Sequence, residues 1–237
     1  GMVQARKLIK DYKPDIVIGT GGYVCGPVLF NASRMKIPTL VHEQNAYPGV
    51  TNKILSRFVD VVAISFKESR KYFKSSPKIV FTGNPIRAEM LDIDKKTARE
   101  KINIDPDAPL VVIFGGSRGA ERVNEAVMEM ITEHYKSNDC NIIFATGEKQ
   151  YESVMKSLKN VNIPKLRVVP YIYDMENVMA ASDLAICRAG AITVSELTAL
   201  GIPSILIPSP YVTANHQEHN ARALEKLGAA VVILERD

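Results

Sequence analysis

From Leu110 onward the chain alternates short apolar runs with segments of helical spacing, joined by brief loops. Strand Leu110–Phe114 leads to a helix over Glu121–Tyr135, strand Asn141–Ala145 to Glu148–Leu158, and strand Leu166–Val169 to a helix near Met175–Ala181. Strand Asp183–Ile186 precedes helix Ile192–Leu200, Ser204–Ile207 precedes Ala214–Leu227, and Ala230–Ile233 is a final strand. Strands that are apolar throughout must be covered on both faces. Strand–helix alternation with short loops meets that need in a parallel, doubly wound sheet. The expected fold class is therefore α/β.

Two loops in this half share one design. Gly115–Ala120 (G-G-S-R-G-A) and Cys187–Glu196 (C-R-A-G-A-I-T-V-S-E), about 70 residues apart, each follow a buried strand and open a helix. Small residues there let a ligand approach the backbone, while the unpaired N–H groups and positive dipole end of a helix attract an anion. The pair points to one ligand with several phosphate oxygens, in a crevice of the sheet. Ser117 would add a hydroxyl. Ala191, Ile192, Thr193, Val194 and Ser195 form the first turn of the second helix, with Thr193 and Ser195 equally suited to capping it. Glu196, one turn inside, is placed to accept hydrogen bonds from ribose hydroxyls. A strand-to-helix turn without ligand is the alternative for either loop alone.

The first half reads as helix Met2–Tyr12, strand Asp15–Gly19, helix Val28–Met35, then strands Pro38–Val41, Val61–Ser65 and Lys78–Thr82, with a short helix around Lys67–Phe73. Gly19-Thr20-Gly21-Gly22 begins a glycine-rich turn that lacks the third glycine of a dinucleotide fingerprint, since Val24 stands there. His42-Glu43-Gln44-Asn45 lies at a strand's carboxyl end, the usual place for a site in an open α/β sheet. Charge rises from Asp92 to Pro109, where a helix capped by Asp94 and a proline turn mark a boundary. Domains are expected at 1–90 and 110–237, with 91–109 as linker. Ser209–Asn220 carries many amides and imidazoles; neutral amides such as Gln217 suit sugar hydroxyls. His216 and His219 have a metal pair's spacing but no third ligand, so neither metal nor cofactor is expected.

The 237 residues suffice for one large or two modest domains, and 24% charged with 46% hydrophobic residues is ordinary for a globular protein. Thirty basic against 26 acidic residues give a net charge of +4. No basic and aromatic interleaving calls for nucleic acid. Apolar runs are too short to span a bilayer, and no signal peptide opens the chain. Three cysteines without metal spacing fit reduced cytosolic thiols.

Six motifs follow one another at suitable spacing: G-T-G-G-Y-V-C-G-P from Gly19, H-E-Q-N-A-Y-P-G from His42, F-T-G-N-P-I-R from Phe81, G-G-S-R-G-A from Gly115, A-G-A-I-T-V-S-E from Ala189 and N-H-Q-E-H-N-A from Asn215. Together they resemble the MurG family of bacterial glycosyltransferases over essentially the whole chain. That resemblance implies a GT-B fold, two Rossmann-like domains with parallel sheets facing a cleft. It implies transfer of N-acetylglucosamine from UDP-N-acetylglucosamine to the muramoyl sugar of undecaprenyl-pyrophosphate lipid I, forming lipid II for peptidoglycan, by a peripheral enzyme at the cytoplasmic membrane face. Uracil would meet the backbone of Ile172, and diphosphate would lie against Ser117 and the amides of Ala191, Ile192 and Thr193. Ribose would meet Glu196 and the sugar Gln217, with Asn45 and Arg87 reaching the donor from the first domain. The acceptor pyrophosphate would sit near Gly19–Gly22, and His42 is a candidate base or a histidine bonding its own loop. The family opens with another glycine-rich loop bearing a histidine and continues past this chain's last strand, so the sequence is expected to be a fragment with an incomplete first domain. A related UDP-sugar epimerase, a glycolipid synthase or an inactive nucleotide-binding module are the alternatives.

Overall fold

The computed structural model describes residues 1–74, 78–116, 119–134, 140–159, 161 and 163–236. They divide into two compact units, Gly1–Pro85 with Tyr211–Ala223, and Ile86–Pro210 with Leu224–Asp237.

In the first unit, strands β1 (Val17–Gly19), β2 (Thr39–Glu43), β3 (Val61–Ile64) and β4 (Ile79–Phe81) form a parallel sheet in that spatial order. Helices α1 (Met2–Tyr12), α2 (Cys25–Arg34) and α3 (Val50–Leu55) accompany it, with a 3₁₀ turn at Lys67–Tyr72. Leu29, Val41, Leu55, Val62, Ile64 and Phe73 close its core. Each contributes roughly 1.5–3 kcal/mol by leaving water. Helix α2 begins three residues before the expected Val28, inside the glycine motif. Pro27 permits this because a helix's first turn has no N–H to bond within the helix. Helix α3 follows Gly49 and is not among the elements expected from the sequence.

The second unit opens with a 3₁₀ turn, Ala88–Leu91, and helix α4 (Lys95–Lys101), which Asp94 caps by accepting from the Thr97 amide at 3.0 Å. Then come β5 (Leu110–Phe114), α5 (Glu121–Glu129), β6 (Asn141–Ala145), α6 (Glu148–Ser157), β7 (Leu166–Val169), α7 (Met175–Ala181), β8 (Leu184–Cys187), α8 (Ala191–Leu200), β9 (Ser204–Leu206) and β10 (Ala230–Val232); α9 (His216–Glu225), which precedes β10 in the chain, belongs to the first unit as far as Ala223. All pairs are parallel, in the order β7-β6-β5-β8-β9-β10. Counted within the unit this is third, second, first, fourth, fifth, sixth, the order of dinucleotide-binding domains. Leu110, Ile113, Phe144 and Leu206 are fully buried in its centre.

Three departures have local causes. Helix α5 ends at Glu129 and continues as a π turn, Met130–His134, that keeps Ile131 in the core; Tyr135 lies outside the described residues. Helix α9 starts at His216 because Ala214 adopts a left-handed φ of 53°, which no helix continues. Residues 91–109, expected as linker, pack on the second unit. There Arg99 and Lys95 of α4 both reach Asp183, at 2.5 Å each.

Candidate functional site

In the second unit the strand order reverses between β5 and β8, and the loops at their carboxyl ends are Gly115–Ala120 and Arg188–Gly190. Such a switch point opens a crevice in any doubly wound sheet. Gly115 makes the first loop tight: a Cβ there would lie 2.7 Å from the Ala120 backbone nitrogen. Gly119 has φ +74°, and its Cβ would lie 2.4 Å from the Thr146 carbonyl oxygen, so only glycine fits. Ser117 lies outside the described residues.

At the second loop Gly190 is the N-cap of α8, extended at φ −61° and ψ 145°, with no side chain capping it. Val194 is the first residue to bond back, its N–H donating to the Gly190 carbonyl at 2.9 Å. Ile192 and Thr193 precede that bond and have no carbonyl in the helix to use, which leaves the first turn suited to an anion. Val194 itself is buried with its amide committed to the helix, and the Ser195 hydroxyl donates back to the Ala191 carbonyl at 2.9 Å. These bonds tie both residues into the first turns of the helix.

Glu196 is half-buried. Burial raises its carboxyl above the ordinary glutamate value, against the pull of the Arg87 charge. Burial and the Glu196 carboxylate push the Cys187 thiol up to about 12, which keeps it neutral. Arg87 pairs with Glu176 on α7 and belongs to the second unit, not to the first domain as expected. The cause is the Ala88–Leu91 turn, whose Met90 is buried and which packs on α7 and α8. Ile172 is buried in the loop after β7, at the same carboxyl edge, while its exposed neighbours Tyr171 and Tyr173 pack their rings edge to face at 5.1 Å.

In the first unit, Gly19–Gly22, His42–Asn45 and Gly83–Asn84 meet at the carboxyl edge of its sheet. Gln44 donates to the Thr20 carbonyl at 2.7 Å and lies 3.2 Å from His42 Nδ1, so that nitrogen accepts. His42 Nε2 then carries the proton toward the Gly83 carbonyl at 3.1 Å and Ser65 Oγ at 2.9 Å. Both ring nitrogens are engaged, an arrangement that ties loops together. The organiser of this corner is Glu43, which is 1% exposed. Its Oε1 accepts from the Asn45 amide (2.9 Å) and Asn45 Nδ2 (3.2 Å), and its Oε2 from the Gly49 amide (3.1 Å) and Asn52 Nδ2 (2.7 Å).

Asn45 is joined to α9. Asn220 donates to Asn45 Oδ1 at 3.1 Å and accepts from the Ala46 amide at 2.9 Å, while His219 stacks on Tyr47 at 4.8 Å. Gln217 is the second residue of α9, so this clamp fixes the helix that carries it. Beside it, burial lowers the pKa of His216, whose Nε2 is buried without a partner.

Glu43 and Asn220 fall within polar stretches that the sequence marks, though neither is given a role there. For Glu43 a signal existed: strand alternation puts Thr39, Val41 and Glu43 on one face, and a carboxylate on a buried face demands donors. Nothing comparable marks Asn220, whose role depends on a loop 174 residues away.

The model of the glycosyltransferase family 28 C-terminal domain matches residues 110–237, and that of its N-terminal domain residues 1–64. The chain belongs to glycosyltransferase family 28. Among family 28 relatives, the UDP-N-acetylglucosamine–N-acetylmuramyl-(pentapeptide) pyrophosphoryl-undecaprenol N-acetylglucosamine transferase of Acetivibrio thermocellus is 70% identical over all of this chain and 64% of its own length. The transferase of that name from Ruminiclostridium cellulolyticum is 56% identical over 99% of this chain and 65% of its own. The chain thus spans just under two-thirds of the curated relatives it matches. A crystal structure of Acinetobacter baumannii MurG superposes with a TM-score of 0.81 at 33% identity, covering 99% of this chain and 65% of that one. A UDP-GlcNAc 2-epimerase from Neisseria meningitidis, bound to UDP-GlcNAc, reaches 0.63 at 16% identity over 86% of this chain and 62% of its own, a likeness of fold alone. Family 28 membership and the two parallel sheets make this a GT-B glycosyltransferase fold.

Proposed function

We propose that this chain forms the donor site and part of the acceptor side of an inverting transferase. It moves N-acetylglucosamine from UDP-N-acetylglucosamine to the C4 hydroxyl of the muramoyl sugar of a lipid-linked pyrophosphate acceptor. The 70% identity to a transferase of that name carries the reading. In it the hydroxyl oxygen bonds to the anomeric carbon as the bond from that carbon to the diphosphate oxygen breaks. UDP leaves with the electron pair, and a base takes the hydroxyl proton.

The first turn of α8 and the Gly115–Ala120 loop, with Ser117, receive the diphosphate and stabilise its growing charge. Glu196 takes the ribose hydroxyls, the backbone of Ile172 the uracil, and Arg87 adds positive charge. Gln217 and Asn45 contact the sugar, and Gly19–Gly22 faces the acceptor pyrophosphate. His42 is assigned to holding this loop, because Gln44 and Ser65 occupy its nitrogens. The lipid acceptor places the reaction at the cytoplasmic membrane surface. No helix among the described residues is long and apolar enough to cross a membrane.

The test is incubation with radiolabelled UDP-N-acetylglucosamine and a soluble lipid I analogue. Label in the analogue supports transfer. Label recovered as the C2-epimeric UDP-sugar supports an epimerase and refutes it, and bound but unreacted nucleotide reduces the chain to a binding module.

A further inference from the structure

Helices α5 and α6 of the second unit enclose a groove of about 460 Å³. Its rim carries Glu121, Glu125 and Glu129, one helical turn apart on α5 and all exposed. Four residues at 1.5 Å rise separate neighbouring carboxylates by roughly 6 Å along the axis. Among the described residues no lysine or arginine lines the groove, on a chain whose net charge is +4. Arg122 meets Glu125 from outside the groove at 3.3 Å, an exposed pair that water screens. Met128 and Val154 supply apolar surface within it.

A second observation points to a ligand. Asn124, 3% exposed, is one of the groove's lining residues. Its Nδ2 donates to the Thr146 carbonyl at 2.8 Å and to Gln150, while its buried Oδ1 has no partner. A buried acceptor left unpaired is costly, so this side chain has a hydrogen bond still to make.

We propose that this groove docks a basic amphipathic segment of a partner protein. Lysines or arginines one helical turn apart on such a segment match the glutamate spacing, and its apolar side chains meet Met128 and Val154. The proposal does not depend on the reaction assigned above.

The test uses the full chain and a fluorescein-labelled helical peptide with lysines on one face and leucines on the other. A counterpart with glutamine for lysine serves as control, and anisotropy is read at low and high salt. The lysine peptide should bind, the glutamine peptide should not, and salt should weaken the complex. Glu125→Gln with Glu129→Gln should lower affinity about fivefold, as expected for two exposed charge pairs. Ser153→Lys, an exposed change that puts a cation in the groove, should lower it at least as much. Thermal unfolding by circular dichroism verifies that both variants fold. No binding of the lysine peptide, equal binding of the glutamine peptide, or unchanged affinity in both variants would overturn the proposal.

Discussion

Replacing Glu43 by glutamine changes one oxygen to an NH₂ and tests what holds the His42–Gly49 loop. Each carboxylate oxygen of Glu43 accepts two hydrogen bonds, Oε1 from Asn45 and Oε2 from Gly49 and Asn52. Whichever way the new amide turns, its NH₂ faces two donors and accepts from neither. Two bonds to a charged acceptor are lost and two donors are stranded, at roughly 1.5–3 kcal/mol per bond. Relief from burying a charge offsets part of this. A net loss of about 3 kcal/mol is expected, close to a hundredfold in local opening. Hydrogen exchange at the Asn45 and Gly49 amides reads this corner directly, whereas global unfolding mixes two units. Protection should fall about a hundredfold there and stay unchanged in β5 and β6. Protection at those two amides within twofold of wild type would refute the claim that Glu43 organises the loop.

Arg188 and Glu235 form a largely buried ion pair, and Arg188 also donates to the carbonyls of Ile207 (3.1 Å) and Pro208 (3.3 Å). Glu235→Gln strands that guanidinium, so thermal unfolding should report a loss of about 3–5 kcal/mol. Burial pushes the Asp183 carboxyl up, but hydrogen bonds from Lys95 and the Leu110 amide, with the charges of Lys95 and Arg99, outweigh it and hold the pKa low. Its stabilising effect is present above the ordinary aspartate value and is lost as pH falls through the depressed one. Urea unfolding of Asp183→Asn should therefore show lower stability at neutral pH and a flatter decline in acid. Glu196 has the opposite sign. Its raised pKa lets the folded state keep a proton just above the ordinary glutamate value, so stability falls as pH rises through that window. Glu196→Gln should remove the fall, seen in melting temperature against pH.

Periodicity made the second unit legible. Every expected strand there formed, because apolar runs between short loops leave few other ways to bury themselves. Strand order was not legible, since it depends on pairings between β5 and β8, 73 residues apart at the Leu110 amide and the Asp183 carboxylate. The glycine loops announced the crevice through their spacing. The unit of Arg87 is not legible, because its turn is held by Met90 against helices far along the chain. The start of α9 is not legible, because a left-handed alanine leaves no mark in composition. Glu43 was half legible, its burial written in the strand alternation and its partners hidden in a loop.

The donor site is the centre of the account, and calorimetric titration of the full chain with UDP-N-acetylglucosamine tests it most directly. UDP-glucose and GDP-mannose serve as controls, with Glu196→Ala beside the wild type. Selective binding of UDP-N-acetylglucosamine is expected. Loss of the Glu196 hydrogen bonds to ribose should weaken it roughly ten- to a hundredfold, the worth of bonds to one charged group. A cooperatively folded sample that binds all three nucleotide sugars alike, binds none of them, or binds UDP-N-acetylglucosamine as tightly with alanine at position 196, would contradict the assignment.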